Sequence, residues 1–170
     1  MVGRPQETEA APYYFTYINQ ITGENPAGIL ESQLQESLVF FSEIAEGKSL
    51  HRYASGKWSI RQVLNHVTDA ERVFAFRAFW FARAFETPLP SFDQNIAAST
   101  AEAEKIPWAG HVEDFRRVRL ASISLFRNLP SEAWARSGIA SDNRFTVRAL
   151  AYIIAGHLAH HVTILRKRYL

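Results

Sequence analysis

The sequence predicts an all-α protein, a four-helix bundle with long loops after its second and third helices. Four segments repeat apolar residues every three or four positions, and no segment shows the alternation that is typical of a β-strand. The 170 residues suit one domain, and 47% of them are hydrophobic, so the chain can bury one core. We expect the bundle to span residues 25–170, after an N-terminal extension of residues 1–24.

The first two predicted helices have clear starting signals. The first runs from about residue 26 to 46, with Asn25 as the N-cap and a proline in the first helical position. The second runs from about residue 59 to 85, where Ser59 and Gln62 match a capping box. Their expected inner faces are Leu30, Leu34, Leu38, Phe41 and Ile44 or Ala45 in the first helix, and Ile60, Val63, Val67, Phe74, Phe81 and Phe85 in the second.

The last two predicted helices follow the same pattern. The third runs from about residue 111 to 129 and stops before Pro130, and the fourth runs from a Thr146 cap to residue 170. Their expected inner faces are Phe115, Val118, Ser122, Leu125 and Leu129 in the third helix, and Leu150, Ile154, Leu158 and Leu165 in the fourth.

Two long connections separate these helices. Residues 87–110 contain three prolines and a possible short helix near residues 95–104, and residues 131–144 contain Gly138 and the turn-like run Ser-Asp-Asn. Long loops in a compact bundle often shape a pocket, so we expect these two to do so.

Composition excludes several classes of function. The chain has no cysteine, which excludes disulfides, thiolate metal ligands and a cysteine nucleophile. A net charge of +2 argues against a nucleic-acid partner, although Arg166, Lys167 and Arg168 leave that alternative open at one helix end. The sequence shows neither a signal peptide nor an apolar run long enough for a membrane span. We therefore expect a cytoplasmic protein with no nucleic-acid and no membrane partner.

Two histidines on the last helix point toward the core. His157 and His161 are four residues apart, so they differ by only about 40° around the helix and share the direction of its apolar face. Buried imidazoles are unfavourable unless their nitrogens find partners. A divalent cation is one such partner, and structural hydrogen bonding is the alternative.

His66 is the candidate third ligand, because it lies on the flank of the apolar face of the second helix. Three imidazoles would leave positions on a metal ion open for water or substrate. We expect His51 and His111 to be surface residues, and His160 to lie on the surface or to support a ligand. The sequence has no Glu-x-x-His, no HExxH and no glycine-rich phosphate loop, so other bundle and metalloprotease chemistries are disfavoured.

The segments RYASGKWSIRQVLNHVTDAERVFAFRAFWFAR, PLPSFDQN and AGHLAHHVTILRKRYL together resemble the DinB/YfiT-like superfamily, over roughly residue 25 to the C-terminus. The family pattern of one histidine on the second helix and His-x-x-x-His on the last falls on His66, His157 and His161. The resemblance implies that these three coordinate zinc, nickel or iron in a bundle that is often dimeric. It also implies a hydrolase, or a transferase or isomerase that uses a small thiol cofactor.

The resulting expectation is a metal-dependent enzyme that activates a water or a small thiol against a small-molecule substrate. Asp69 is a weak candidate to orient a ligand imidazole or to act as a base, and a solvated surface carboxylate is the alternative. Asp93 and Asn95 are weak candidates for the pocket mouth, with turn capping as the alternative. The competing function is a non-catalytic metal-binding or stress-response module.

An aromatic cluster predicts a contact surface on the second helix. Phe76, Phe79 and Trp80 lie off its inner face, interleaved with arginines. Exposed aromatics at this density are covered either by the loop that follows or by a second subunit. We expect a homodimer.

Overall fold

The protein is described by a computed structural model covering residues 2–170. Its helices are α1 Phe15–Ile18, α2 Pro26–Ser42, α3 Ile60–Ala82, α4 Gln94–Thr100, α5 Trp108–Arg127 and α6 Val147–Ile164. The chain continues beyond α6 as one wider helical turn, Leu165–Tyr169. The four long helices α2, α3, α5 and α6 form a four-helix bundle, which confirms the predicted fold class.

The predicted N-caps explain where three of these helices begin. The Asn25 side chain accepts a hydrogen bond from the Gly28 amide at 3.2 Å, and Thr146 accepts one from the Ala149 amide at 3.0 Å. At α3, Ser59 and Gln62 exchange side-chain and backbone hydrogen bonds, so the capping box is confirmed. Helix α3 ends at Ala82, and Phe85, predicted as an inner residue, lies beyond it and is exposed.

Helix α6 forms the centre of the core. All ten residues from 149 to 158 are buried, and the predicted inner residues Leu150, Ile154, Leu158 and Leu165 are each at most 2% exposed. Helix α3 packs against both α6 and α5, and α2 packs against the other side of the same two helices. The last helix is therefore held on several sides by its neighbours.

The predicted inner face of α5 was partly wrong. Phe115 and Ser122 are buried as expected, but Val118, Leu125 and Leu129 are only partly buried. The buried face of α5 is rotated from the predicted apolar face because it also includes polar side chains. One of them is Arg119, which is fully buried. His111, predicted at the surface, is also buried, and its Nε2 donates to the Ala103 carbonyl at 2.7 Å.

A β-hairpin lies between α5 and α6, in a segment where the sequence shows no strand alternation. Strand β1, Ser137–Ala140, pairs antiparallel with β2, Asn143–Thr146. The turn residues Ser141 and Asp142 have φ values of 51° and 58°, which a tight two-residue hairpin requires. Strands of four residues are too short to show a readable alternation in the sequence.

The N-terminal segment packs onto the bundle. Tyr17, Ile18 and Ile21 are buried, and α1 lies against α6. A Cβ atom added at Gly156 would lie 2.2 Å from the Tyr17 carbonyl oxygen, so the two backbones can approach only because α6 has glycine there. Whether residues 1–24 form an extension separate from the bundle domain stays a prediction.

None of the helices within residues 2–170 combines the length and the apolar character that crossing a membrane requires.

Candidate metal centre

Three histidines from two helices meet at one point in the interior. His66 projects from α3 and His157 and His161 project from α6, one turn apart. The Nε2 atom of His157 lies 3.1 Å from that of His66 and 3.1 Å from that of His161. One nitrogen of each of the three rings lies within 4.8 Å of the others. The structure thus brings together the side chains that were predicted as metal ligands.

Hydrogen bonds between the three rings cannot provide a partner for every converging Nε2 atom. The Nε2 atom of a neutral imidazole either carries a proton or accepts one, so His157 cannot donate to one neighbour and accept from the other through the same atom. A cation placed among three unprotonated Nε2 atoms would use all three lone pairs. Zinc–nitrogen bonds of about 2.0–2.1 Å in a tetrahedral site place ligand nitrogens roughly 3.3 Å apart, close to the observed spacing. The donor set therefore fits a divalent metal ion.

Burial keeps these rings neutral. It lowers the pKa of His66 to about 4 and, together with the neighbouring His66 and His160, lowers the pKa of His161 to about 3. The pKa of His157 is also held well below 6.5, first by burial and then by the surrounding histidines. At neutral pH the three imidazoles are unprotonated, which is the form that binds metal ions.

Aromatic rings enclose the histidine cluster. The indole of Trp58 lies 5.0 Å from the His66 ring, and the Tyr17 ring meets His157 edge-on at 5.3 Å. His160 is half buried beside Tyr17 and His161, with ring centroids 5.4 and 5.1 Å away, but it is not part of the converging set. Its place beside the cluster is compatible with the predicted supporting role, which stays a prediction.

A pocket of about 110 Å³ opens beside His66 and His157. One wall comes from the N-terminal segment through Tyr13, Tyr14 and Tyr17, and α3 supplies another. These tyrosines and the pocket-lining Arg77 were not singled out by the sequence analysis. For Arg77 a signal was available, since it follows His66 by eleven residues, three helical turns, and so shares its face.

The other candidate residues lie in different surroundings. Asp69 accepts hydrogen bonds from Asn65 at 2.8 Å and from Arg72 at 2.9 Å. Asp93 caps α4 by accepting from the backbone amides of Asn95 and Ile96, and the Asn95 side chain is exposed. Nearby, the loop residue Phe92 and the first residue of α4, Gln94, line the pocket. Roles for Asp69, Asp93 and Asn95 in the site stay predictions.

Comparison with known proteins places the chain in context. Residues 29–165 match the family described as the DinB superfamily. Among solved structures, the chain is similar to YfiT from Bacillus subtilis, described as a probable metal-dependent hydrolase with an unusual four-helix bundle topology. The TM-score is 0.68 and the identity 19%, over 96% of this chain and 91% of YfiT. No curated protein matches the chain. At this identity the likeness to YfiT shows the fold.

Proposed function

The chain belongs to the DinB superfamily, and from that premise we propose that it is a metal-dependent enzyme acting on a small molecule. His66, His157 and His161 hold one divalent metal ion, which is zinc, nickel or iron. The observation that carries the proposal is the convergence of three imidazole nitrogens within 4.8 Å, beside a pocket. The description of YfiT as a probable metal-dependent hydrolase supports the same class of function.

The chemistry follows from the donor set and the pocket walls. When bound, a divalent ion lowers the pKa of a water molecule or a small thiol and provides it as a nucleophile near neutral pH. Three neutral imidazoles leave the full positive charge of the ion in place and fill only part of its coordination shell. The chain has no cysteine, so a thiol nucleophile has to come from a small cofactor. The enzyme is accordingly a hydrolase or a thiol S-transferase.

The aromatic walls have a part in this mechanism. Tyr17 and Phe74 lie against the His157 ring, with centroids 5.3 and 6.2 Å away, and limit its rotation. Burial raises the pKa of Tyr17, whose hydroxyl is 2.8 Å from that of Tyr13. Tyr17 therefore stays protonated and acts as a neutral wall that excludes water, while the histidines present their lone pairs to the ion.

Metal content is the first test. Untagged full-length protein, analysed for metals by mass spectrometry, is expected to carry one divalent ion per chain. His157→Ala and His161→Ala should lose the ion while circular dichroism still reports a folded helical protein. His160→Ala is the matched control, because it removes a neighbouring imidazole outside the converging set. Full metal retention in the His157→Ala/His161→Ala double variant would rule out the site.

Activity is the second test, and it separates an enzyme from a non-catalytic metal-binding module. The metal-loaded protein is assayed for hydrolysis of small esters and amides, and for transfer of a low-molecular-weight thiol to an electrophilic substrate. Activity that is present in the wild type and absent in His157→Ala supports the proposal. A fully loaded protein that is inactive in both assays, and whose metal exchanges no water, favours the non-catalytic alternative.

A further inference from the structure

Arg77 lines the same pocket as the histidines. It lies eleven residues after His66 on α3, about 16 Å further along the helix axis and only about 20° around it. Both side chains contribute to the pocket wall, together with Phe74 between them. Arg77 is buried, with 3% of its surface exposed, so its positive charge is directed into the protein.

Arg77 differs from the other buried arginines in lacking an acidic partner. Within residues 2–170 three arginines are buried, and Arg61 and Arg119 each pair with a carboxylate, Glu46 and Glu71 respectively. Arg77 forms no such ion pair in the described part of the chain, and burial lowers its pKa. A buried charge without a counter-charge is strongly unfavourable unless something else compensates it.

The neutral partners of Arg77 use only part of its hydrogen-bonding capacity. Its Nη2 donates to the Pro90 carbonyl at 3.0 Å and to the Ser141 hydroxyl at 2.8 Å. The Tyr14 side chain also forms a hydrogen bond with Arg77. A guanidinium carries five N–H donors, so these three neutral partners do not use all of them. The bonds to Pro90 and Ser141 hold the guanidinium in a fixed orientation between the loop after α3 and the hairpin turn. This is how a protein prepares an arginine to receive an anionic ligand.

We propose that Arg77 binds the carboxylate of the substrate, so that the enzyme acts on small carboxylic acids whose reactive group lies at the histidines. This inference rests on the proposed function, because it assigns the substrate class of the same pocket. One guanidinium matches one carboxylate in charge, and charge-assisted hydrogen bonds between them are strong. The cavity of about 110 Å³ suits a small acid. A phosphate dianion carries two negative charges, so one guanidinium would leave one of them uncompensated among the aromatic side chains of the pocket.

The test measures binding of propionate to the full-length protein freed of metal with a chelator, because carboxylates also bind metal ions directly. Propionamide, which has nearly the same shape without the charge, is the matched ligand. Binding is followed by NMR through the backbone amides and the Nε–H signal of Arg77. We expect propionate to shift the Arg77 signal saturably, and propionamide to leave it unmoved.

Variants then separate ligand binding from a structural role. Arg77→Met should weaken propionate binding at least tenfold, whereas Arg83→Met, which removes an exposed arginine at the end of the same helix, should not change it. A merely structural Arg77 would give equal shifts with propionate and propionamide, and that result overturns the proposal. Tighter binding of inorganic phosphate than of propionate also overturns it.

Two further measurements keep the outcome clear. If Arg77→Met does not fold, the comparison of the two ligands on the wild type decides the question alone. Metal content is measured in parallel on wild-type protein as purified. Propionate binding without any metal content would refute the proposed function and leave the anion site standing. Metal content without propionate binding would refute the anion site and leave the proposed function standing.

Discussion

Glu71 and Arg119 form a fully buried ion pair between α3 and α5. The Arg119 Nε lies 2.9 Å from Glu71 Oε1, and its Nη2 lies 2.9 Å from Oε2. The Nη1 of the same arginine donates to Gln33 of α2 at 3.1 Å, and Gln33 donates to the Ala155 carbonyl of α6 at 3.0 Å. One polar chain thus connects all four long helices through the core.

Removing one partner of this pair should strongly destabilise the protein. Glu71→Ala leaves the Arg119 guanidinium buried without a counter-charge, for which we expect a loss of about 3–5 kcal/mol in the free energy of unfolding. Urea denaturation monitored by circular dichroism measures it. Asp114→Ala is the control, since Asp114 pairs with Arg72 at the surface and its loss should amount to less than about 1 kcal/mol. Equal losses in the two variants would contradict the expectation.

Substitution of Gly156 should loosen the contact between α1 and α6. A Cβ at this position would meet the Tyr17 carbonyl oxygen at 2.2 Å, so the two backbones have to separate. We expect Gly156→Ala to lower the free energy of unfolding by about 1–3 kcal/mol, as overpacked core variants do. Gly47→Ala serves as the control because an added Cβ there meets nothing within 4 Å. Unchanged stability of Gly156→Ala would show that α1 is not held where the structure places it.

Protonation of Glu9 at acidic pH should weaken the attachment of the N-terminal segment to the bundle. Burial raises the pKa of Glu9, but hydrogen bonds from Arg148, Thr146 and the Gln6 backbone outweigh it, and the net pKa lies below 4.5. A depressed carboxyl pKa means that this contribution to stability is present above about pH 4.5 and is lost as pH falls through the folded-state value. We therefore expect the urea concentration at the unfolding midpoint of the wild type to decrease when the pH is lowered below about 4.5.

The matched variant for this pH dependence is Glu9→Gln, which lacks the titrating group. It should be less stable than the wild type at pH 7, and the difference between the two proteins should narrow as the pH is lowered toward 3. A difference that stays constant over the whole range would mean that the contact with Arg148 and Thr146 does not depend on the charge of Glu9.

The aromatic surface on α3 predicts a homodimer. Phe76 is 50% exposed, while Trp80 is partly covered, stacking on Phe85 at 4.2 Å and donating to the Thr87 carbonyl at 3.1 Å. We expect light scattering at micromolar concentration to give twice the chain mass for the wild type. Phe76→Glu should give a monomer, and Ile96→Glu, at an exposed position on α4, should not. A monomeric wild type would refute the dimer.

Much of the fold could be predicted because the long helices carry their own signals. The caps at Asn25, Ser59 and Thr146 depend on local residue types, and the inner face of α6 is apolar apart from its histidines. The shared direction of His157 and His161 followed from helical spacing in the same way, since a separation of four residues fixes their relative direction. Spacing within one helix does not fix how His66, on α3, meets this pair, and the family resemblance supplied that expectation.

What could not be predicted depends on contacts between distant parts of the chain. Arg119 and His111 look like surface residues until Glu71 and the Ala103 carbonyl are known to face them. The tyrosine wall of the pocket comes from the four-residue helix α1 and the short turn before it, both too short for a periodic pattern. Helical spacing places Arg77 on the face of His66, but the sequence could not show that Arg77 is buried without an ion pair among residues 2–170.

The histidine end of the pocket and the end away from the histidines differ in how readily their residues can be substituted. The histidine pair belongs to the most tightly enclosed helix, where a shift of one side chain disturbs every neighbour. Phe92 and Ser141 belong to surface loops, and Gln94 is the first residue of the short helix α4; such segments tolerate substitutions far more readily. Substitutions at these positions would therefore reshape the pocket wall without disturbing the packing around the histidines.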